Sequence, residues 1–147
     1  MFNFLQSLFK KNEYSLGAFA NPEDIRDIHI SAVQLPVAIP STYKTDLSML
    51  DVENQMAHGT CVGQAITKLV EMYWYRRFKS TIKLSARSLY IRSKTQDGIP
   101  NLQGTIPRVA ANIVVKEGIA TDTFVPDNNE LSYSEYLSFD INDSVKA

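Results

Sequence analysis

The chain has one cysteine, Cys61, and only two histidines, His29 and His58, both of which precede it. A single thiol cannot form an intramolecular disulfide, so nothing here requires an oxidising compartment. Charge of one sign is also missing. The 15 Lys and Arg nearly balance the 16 Asp and Glu, for a net charge of -1 and a pI of about 6.1. No cationic excess points to nucleic acid or to an anionic membrane. Long hydrophobic runs are absent too. The apolar part of "MFNFLQSLFKKNEYS" is too short to span a bilayer. Its lysines follow the apolar part, and no small-residue cleavage site comes next, so it does not read as a secretory signal. Internal repeats and low-complexity blocks are lacking.

What remains is an ordinary globular composition. With 147 residues, 44% hydrophobic and 21% charged, the chain is long enough for one domain, or a large part of one, with a buried core. Phe2, Leu5, Leu8 and Phe9 can form one face of a short amphipathic helix, read as a leader that docks on this protein or on a partner, with a membrane anchor as the weaker alternative. Residues 12–50 show little periodicity and are punctuated by Pro22, Pro36 and Pro40. They read as an extended arm wrapping a core built from later residues, with "ANPEDIRDIHI" as an extended or turn segment. Asp51 to Gly59 reads as a loop approaching a helix.

The pattern changes at Thr60. Val62, Ala65, Ile66, Leu69, Val70, Tyr73 and Trp74 recur at helical spacing over four turns. Thr60 is the expected N-cap, its hydroxyl accepting from an orphaned backbone N–H. Arg76, Arg77 and Lys79 lie near the far end, where cations suit the helix dipole. Ser85 should cap a shorter helix in "SARSLYIRSK", followed by the loop "QDGIPNLQG". A third helix is expected from about Ile106 to Lys116, with Pro107 in its first turn and Gly118 just past its end. "TDTFVPDNNELSYSEY" reads as loop with some extended structure, and "YLSFDIND" as a strand. "NDSVKA" at the end reads as the start of another helix.

Cys61 carries the chemistry. At the first turn of a helix, unpaired N–H groups and the dipole favour a thiolate. A thiolate attacks a carbonyl and creates an oxyanion that needs donors. The Cys61 N–H is one candidate donor and the Gln55 side-chain amide another, if the loop folds back. Gly59 lets that loop turn tightly and lets a backbone approach. The bland alternative is a small buried hydrophobe, the commonest fate of a lone cysteine. His58 is read as solvent-facing and poorly placed to take the Cys61 proton.

The spacing of "NQMAHGTCVGQA" resembles that of the papain-like cysteine peptidases. In that family a glutamine stands six residues before the cysteine and a glycine two before it, and the cysteine opens a long helix. Gln55, Gly59 and Cys61 match, and Ala65 follows where small residues are favoured. "LSARSLYIRSKTQDG" is similar to the family segment leading into a second helix. Gly104 falls where the family has its glycine-rich substrate loop, with Thr105 in place of the second glycine. Gly118, Ile119 and Pro126 fit the pattern closing that region. "LGAFANPEDIRD" and "LPVAIPSTYKTDLS" resemble the lead-in of bacterial, archaeal and phage members, so the likeness runs over roughly residues 15–147. Val62, where an aromatic is usual, and Gln64 depart from the pattern.

The resemblance implies an α+β, papain-like cysteine peptidase fold. This chain would be its mainly helical half (residues 51–147), preceded by a leader and extended arm (residues 1–50); the arm's length, prolines and lack of periodicity lead to the separate expectation that it occupies the cleft as a built-in inhibitor. It implies thiol-dependent peptide hydrolysis, with Cys61 as nucleophile, Gln55 in the oxyanion hole, and Gly59, Gly104 and Thr105 holding substrate. It implies no metal or other cofactor, no nucleic acid and no membrane span, and a cytoplasmic or virion-associated location. The family histidine lies roughly 130–150 residues after the cysteine, whereas 86 residues follow Cys61 here. A split or cleaved peptidase, a truncated one, or an inactive structural or binding module are the readings this leaves. The first two expect a β-rich second half, from this or another chain, and a histidine roughly 45–65 residues beyond Ala147. A thiol switch is the weakest alternative, because no second cysteine can resolve it.

Overall fold

The computed structural model describes residues 17–28, 32, 41–42, 44, 46 and 48–139. Within them the fold is mainly helical: α1 (Cys61–Phe78), α2 (Ala86–Gln96), α3 (Pro107–Glu117) and the short α4 (Tyr133–Leu137). β-structure among the described residues is limited to two isolated bridges, Ala18 with Thr105 in parallel and Leu84 with Thr121 in antiparallel, and no barrel is formed. No helix among them is long and apolar enough to cross a membrane.

The three longer helices lie where periodicity and end signals place them. α1 begins at Cys61, but its N-cap works differently from the expectation. Thr60 occupies the cap position, yet its hydroxyl makes no capping bond and is buried without a partner among the described residues. Its backbone φ of -95° and ψ of 9° replace the extended conformation that aims a cap hydroxyl at the N2 or N3 amide. Lys79 closes the helix in the left-handed region, its N–H on the Tyr75 carbonyl. Ser85 caps α2 through its hydroxyl, which accepts from the Ser88 N–H. Pro107 opens α3, and the Gly118 N–H closes it on the Ile113 and Val114 carbonyls.

The end of the described chain corrects the first half of the strand expected in "YLSFDIND". Tyr136 and Leu137 are helical, and Ser138 and Phe139 make no β-pairing among the described residues, while 140–143 lie outside them. The cause is local. Ser132 accepts from the Glu135 N–H while the Glu135 carboxylate accepts from the Ser132 N–H, a reciprocal capping box that starts a helix at Tyr133. Residues 140–147, including "NDSVKA", and the leader face at Phe2–Phe9 lie outside the described residues, as does most of 29–47.

α1, α2 and α3 pack against one another, and α4 packs on α2. The core is Val62 from α1, Leu89 from α2, and Ala110 and Ile113 from α3, with Cys61, Ile66, Val109, Val114 and Ile119 against it. Arg87 fastens α4. Its guanidinium donates to the Tyr136 and Glu135 carbonyls at 2.8 Å each and lies over the Tyr136 ring.

α1 turns an unexpected side inward. Its buried residues are Val62, Gly63, Gln64, Thr67 and Glu71. Of the seven residues in its apolar repeat, only Val62 is buried. Leu69 is 58% exposed, Tyr73 68% and Phe78 55%. Glu71 and the Gln64 amide nitrogen have partners that offset their desolvation, whereas the Thr67 hydroxyl and Gln64 Oε1 are buried with none among the described residues. Glu71 Oε1 accepts from the Leu84 N–H at 2.8 Å and Oε2 from Lys68 at 2.6 Å. Ala65, Leu69, Tyr73 and Trp74 are left exposed, Ala65 and Leu69 lining the cleft described next, while Ile66 packs against the core.

Candidate active site

Cys61 is the first residue of α1, half-buried, with a free thiol. It lines a cleft of about 760 Å³ together with Gln55. One wall is the loop Leu50–Gln55, and the other is the outer side of α1: Gln64, Ala65, Lys68, Leu69 and Met72. The loop thus folds back so that Gln55 and Cys61, six residues apart in sequence, face one space. Leu50, Val52, Ala65, Leu69 and Met72 make the walls largely apolar.

Two polar clusters hold these walls. Lys68, on α1, donates to Glu53 Oε1 at 2.9 Å and to Glu71 Oε2 at 2.6 Å. Lys83 also reaches Glu53 Oε1. Burial by itself pushes the Glu53 carboxyl up, but hydrogen bonds from Lys83 and Lys68 outweigh it and hold the group below the usual range. The same carboxylates hold Lys68 above its ordinary value against its own partial burial. Deeper in, Gln64 Nε2 donates to Asp127 Oδ2 at 3.3 Å, and the Tyr136 hydroxyl donates to Asp127 Oδ1 at 2.8 Å. Burial raises Asp127 above the normal carboxylate range, and the nearby negative charges of Glu53 and Asp122 add to it. Gln64 Oε1 is buried with no hydrogen-bond partner among the described residues.

Gly59, Gly104 and Thr105 meet behind this cleft and are buried. They form a crossing of three backbones with the arm. A Cβ on Gly17 would lie 2.0 Å from the Gly59 carbonyl oxygen. On Gly59 it would lie 2.8 Å from the Gly104 nitrogen, and on Gly104, 2.6 Å from the Gly17 oxygen. Gly104 also has φ of 101°, a region glycine enters without cost. The backbone groups at the crossing are already used. The Thr105 N–H donates to the Gly17 carbonyl at 2.8 Å, and the Phe19 N–H donates to the Thr105 carbonyl at 3.1 Å. The Gly104 N–H donates to the Tyr90 hydroxyl at 2.8 Å. While the arm is in place, both the N–H and the carbonyl of Thr105 are engaged by it. The arm continues to α3, where Asn21 Oδ1 accepts from the Arg108 N–H and the Arg108 guanidinium pairs with Asp24 and Asp27.

His58 is a correction. It is 5% exposed, not solvent-facing. Its Nε2 lies 2.9 Å from the Leu131 carbonyl, and its ring stands against Tyr133 and Tyr136. The apolar and aromatic surface of the chain around α4 offered a better site than water for a ring with one satisfied nitrogen. His29 lies outside the described residues. Among the described residues of the expected arm, Leu50 alone lines the Cys61 cleft.

Sequence reading missed Glu53, Lys68, Glu71, Asp127 and the Lys94 group treated below. Only the i,i+3 spacings of Lys68 with Glu71 and Lys94 with Asp97 were visible in advance. Among the described residues, no cluster of three His, Cys, Asp or Glu side chains could hold a metal ion. A scan against protein-family models and a search of curated proteins find no match to this chain.

Proposed function

We propose that this chain is the helical half of a papain-like thiol peptidase and that Cys61 is its nucleophile. The observation that carries the reading is the shared cleft: Cys61 at the first residue of α1, with Gln55 facing the same space from the opposite loop. The Cys61 thiolate attacks the scissile carbonyl carbon. The Cys61 N–H and the Gln55 side-chain amide then donate to the oxyanion. The general base is an imidazole brought by a β-rich half, which covers the outward apolar stripe of α1 at Leu69, Tyr73 and Phe78. His58 does not serve, because its Nε2 is committed to Leu131. The protein acts in the cytoplasm or a virion, on a peptide or protein substrate.

A second reading, a catalytically silent papain-like module such as a virion or assembly component, is favoured by one observation. The backbone of Thr105 is filled by Gly17 and Phe19 rather than left open for substrate.

A peptidyl epoxide separates the two. It is applied to an extract of cells that make the protein and to purified residues 1–147. The peptidase reading expects a Cys61 adduct in the extract and slow labelling of the isolated chain. Efficient peptide hydrolysis from residues 1–147 alone overturns the split-site account, in which the base comes from a second half. The peptidase reading itself is overturned if Cys61→Ala leaves hydrolysis in the extract, and every processing or lysis phenotype, untouched.

A further inference from the structure

Lys94 stands in the last turn of α2, with a side chain only 6% exposed. Its ammonium donates to four oxygens: Asp97 Oδ2 at 2.9 Å, and the carbonyls of Ile99 at 2.7 Å, Leu102 at 2.9 Å and Gly104 at 3.0 Å. An ammonium has three protons, so one is shared. Four oxygens from one eight-residue loop converging on a single positive centre is the arrangement of a small oxygen cage around a monovalent cation. Here the cation is covalently attached. Three carbonyl dipoles and a carboxylate would repel one another in a buried space without it.

The loop so gathered ends at the Cys61 site. Gln103 Oε1 accepts from the Gly59 N–H at 3.1 Å. Gly104 stands so close to Gly59 that no Cβ fits between them. Gly59 is joined to Cys61 through the single residue Thr60. Tyr90 holds the other side of Gly104, its hydroxyl accepting the Gly104 N–H at 2.8 Å. Among the described residues the Gly59 amide donates to Gln103 alone, so the loop's position decides whether that amide is satisfied.

We propose that Lys94 is a positioning residue for the Cys61 site. Its ammonium is the resident cation of an oxygen cage, and the cage sets Gln103 and Gly104 against Gly59, which fixes the peptide leading into the cysteine. That the positioned group is a nucleophile rests on the reading above; the positioning itself does not. Arginine is no substitute, because a planar guanidinium fork does not match four oxygens converging on a point.

The test uses residues 1–147 and two readouts: amide hydrogen exchange at Gly59, Leu102 and Gly104, and the rate at which iodoacetamide alkylates Cys61. Lys94→Ala is expected to speed Gly59 exchange and change the alkylation rate, each by roughly tenfold or more. Methylammonium or potassium chloride should restore both, where sodium-matched tetramethylammonium, too large for the cage, does not. Lost stem packing would not be rescued selectively by a small cation. Gln103→Ala keeps the cage and covers the case in which Lys94→Ala does not fold. It should reproduce the Gly59 and Cys61 effects with Leu102 unchanged. Unchanged Gly59 exchange and alkylation in Gln103→Ala, or in a folded Lys94→Ala, overturns the proposal, as does a Lys94→Ala defect indifferent to cation size. The peptidase reading fails on a different readout, epoxide labelling and hydrolysis in the extract.

Discussion

The Lys68 ammonium lies 2.9 Å from Glu53 Oε1 and so ties the helix that begins with Cys61 to the loop that carries Gln55. The same ammonium reaches Glu71, whose other oxygen holds the Leu84 N–H. One side chain thereby links the front wall of the cleft to the packing of α1 on the chain entering α2. Glu71 is the buried member, with a side chain 2% exposed.

Glu71→Ala should therefore cost about 3 kcal/mol, since it strands a buried backbone N–H and leaves the partly buried Lys68 ammonium with Glu53 alone. Lys83→Ala, at a side chain 41% exposed, should stay within about 0.5 kcal/mol. Urea unfolding of the two variants checks the contrast. A Glu71→Ala loss no larger than that of Lys83→Ala would refute it.

Glu53 and Asp127 should show opposite pH behaviour. Glu53 is held below the ordinary glutamate value in the folded state, against its burial, by its hydrogen bonds from Lys83 and Lys68. Its contribution is present above the unfolded value and is lost as pH falls through the folded one. Glu53→Gln should lower the melting temperature at neutral pH, and the difference should shrink as the pH falls through the folded value.

Asp127 is raised above 3.8 by burial and by neighbouring negative charge. The folded state then binds its proton more tightly than the unfolded one, so its share of stability falls as pH rises from the unfolded to the folded value. Asp127→Asn should be at least as stable as the parent at neutral pH and gain nothing in acid. An amide there can donate to Gln64 Oε1, which is buried without a partner among the described residues. Thermal melts at the two pH values decide this. A marked loss of stability at neutral pH would contradict it.

Glycine tolerance should divide sharply. Gly17→Ala puts a Cβ 2.0 Å from the Gly59 oxygen, backbone against backbone. It should cost upward of about 2 kcal/mol or detach the arm. Gly98→Ala meets nothing within 4 Å and suffers only from φ of 72°, a penalty of about 1 kcal/mol. Protease cleavage within residues 17–28 should accelerate in the first variant and not in the second.

Ser132→Ala removes the hydroxyl of the α4 capping box and should cost about 1 kcal/mol. The loss should be local. Hydrogen exchange should quicken at Glu135 and Tyr136 while Leu89 and Ile113 keep their protection. Uniform loss of protection would show that α4 is not a separable element.

Much of this protein was legible from residue order. The starts of α1, α2 and α3 follow from helical spacing and from Ser85 and Pro107, and the end of α3 from Gly118, because those signals act within a few residues of where they stand. The Ser132–Glu135 capping box was equally local, and a strand expectation drawn from "YLSFDIND" passed over it. The spacing of Gln55, Gly59 and Cys61 singled out the loop that does face the thiol.

Tertiary structure decided the rest. The apolar repeat of α1 shows that a helix forms, but not which side it buries. Glu71 and Gln64 turn inward because Leu84, Lys68 and Asp127, which are between 3 and 63 residues away in sequence, meet them there. His58 is buried because Leu131 and two tyrosines from the far end of the described chain come to it. The convergence of Gly17, Gly59 and Gly104 joins three distant backbones at separations that no single stretch of sequence encodes. Short-range signals set the helices. The burial of polar groups depends on partners that only folding brings within hydrogen-bond distance, and there the sequence alone was silent.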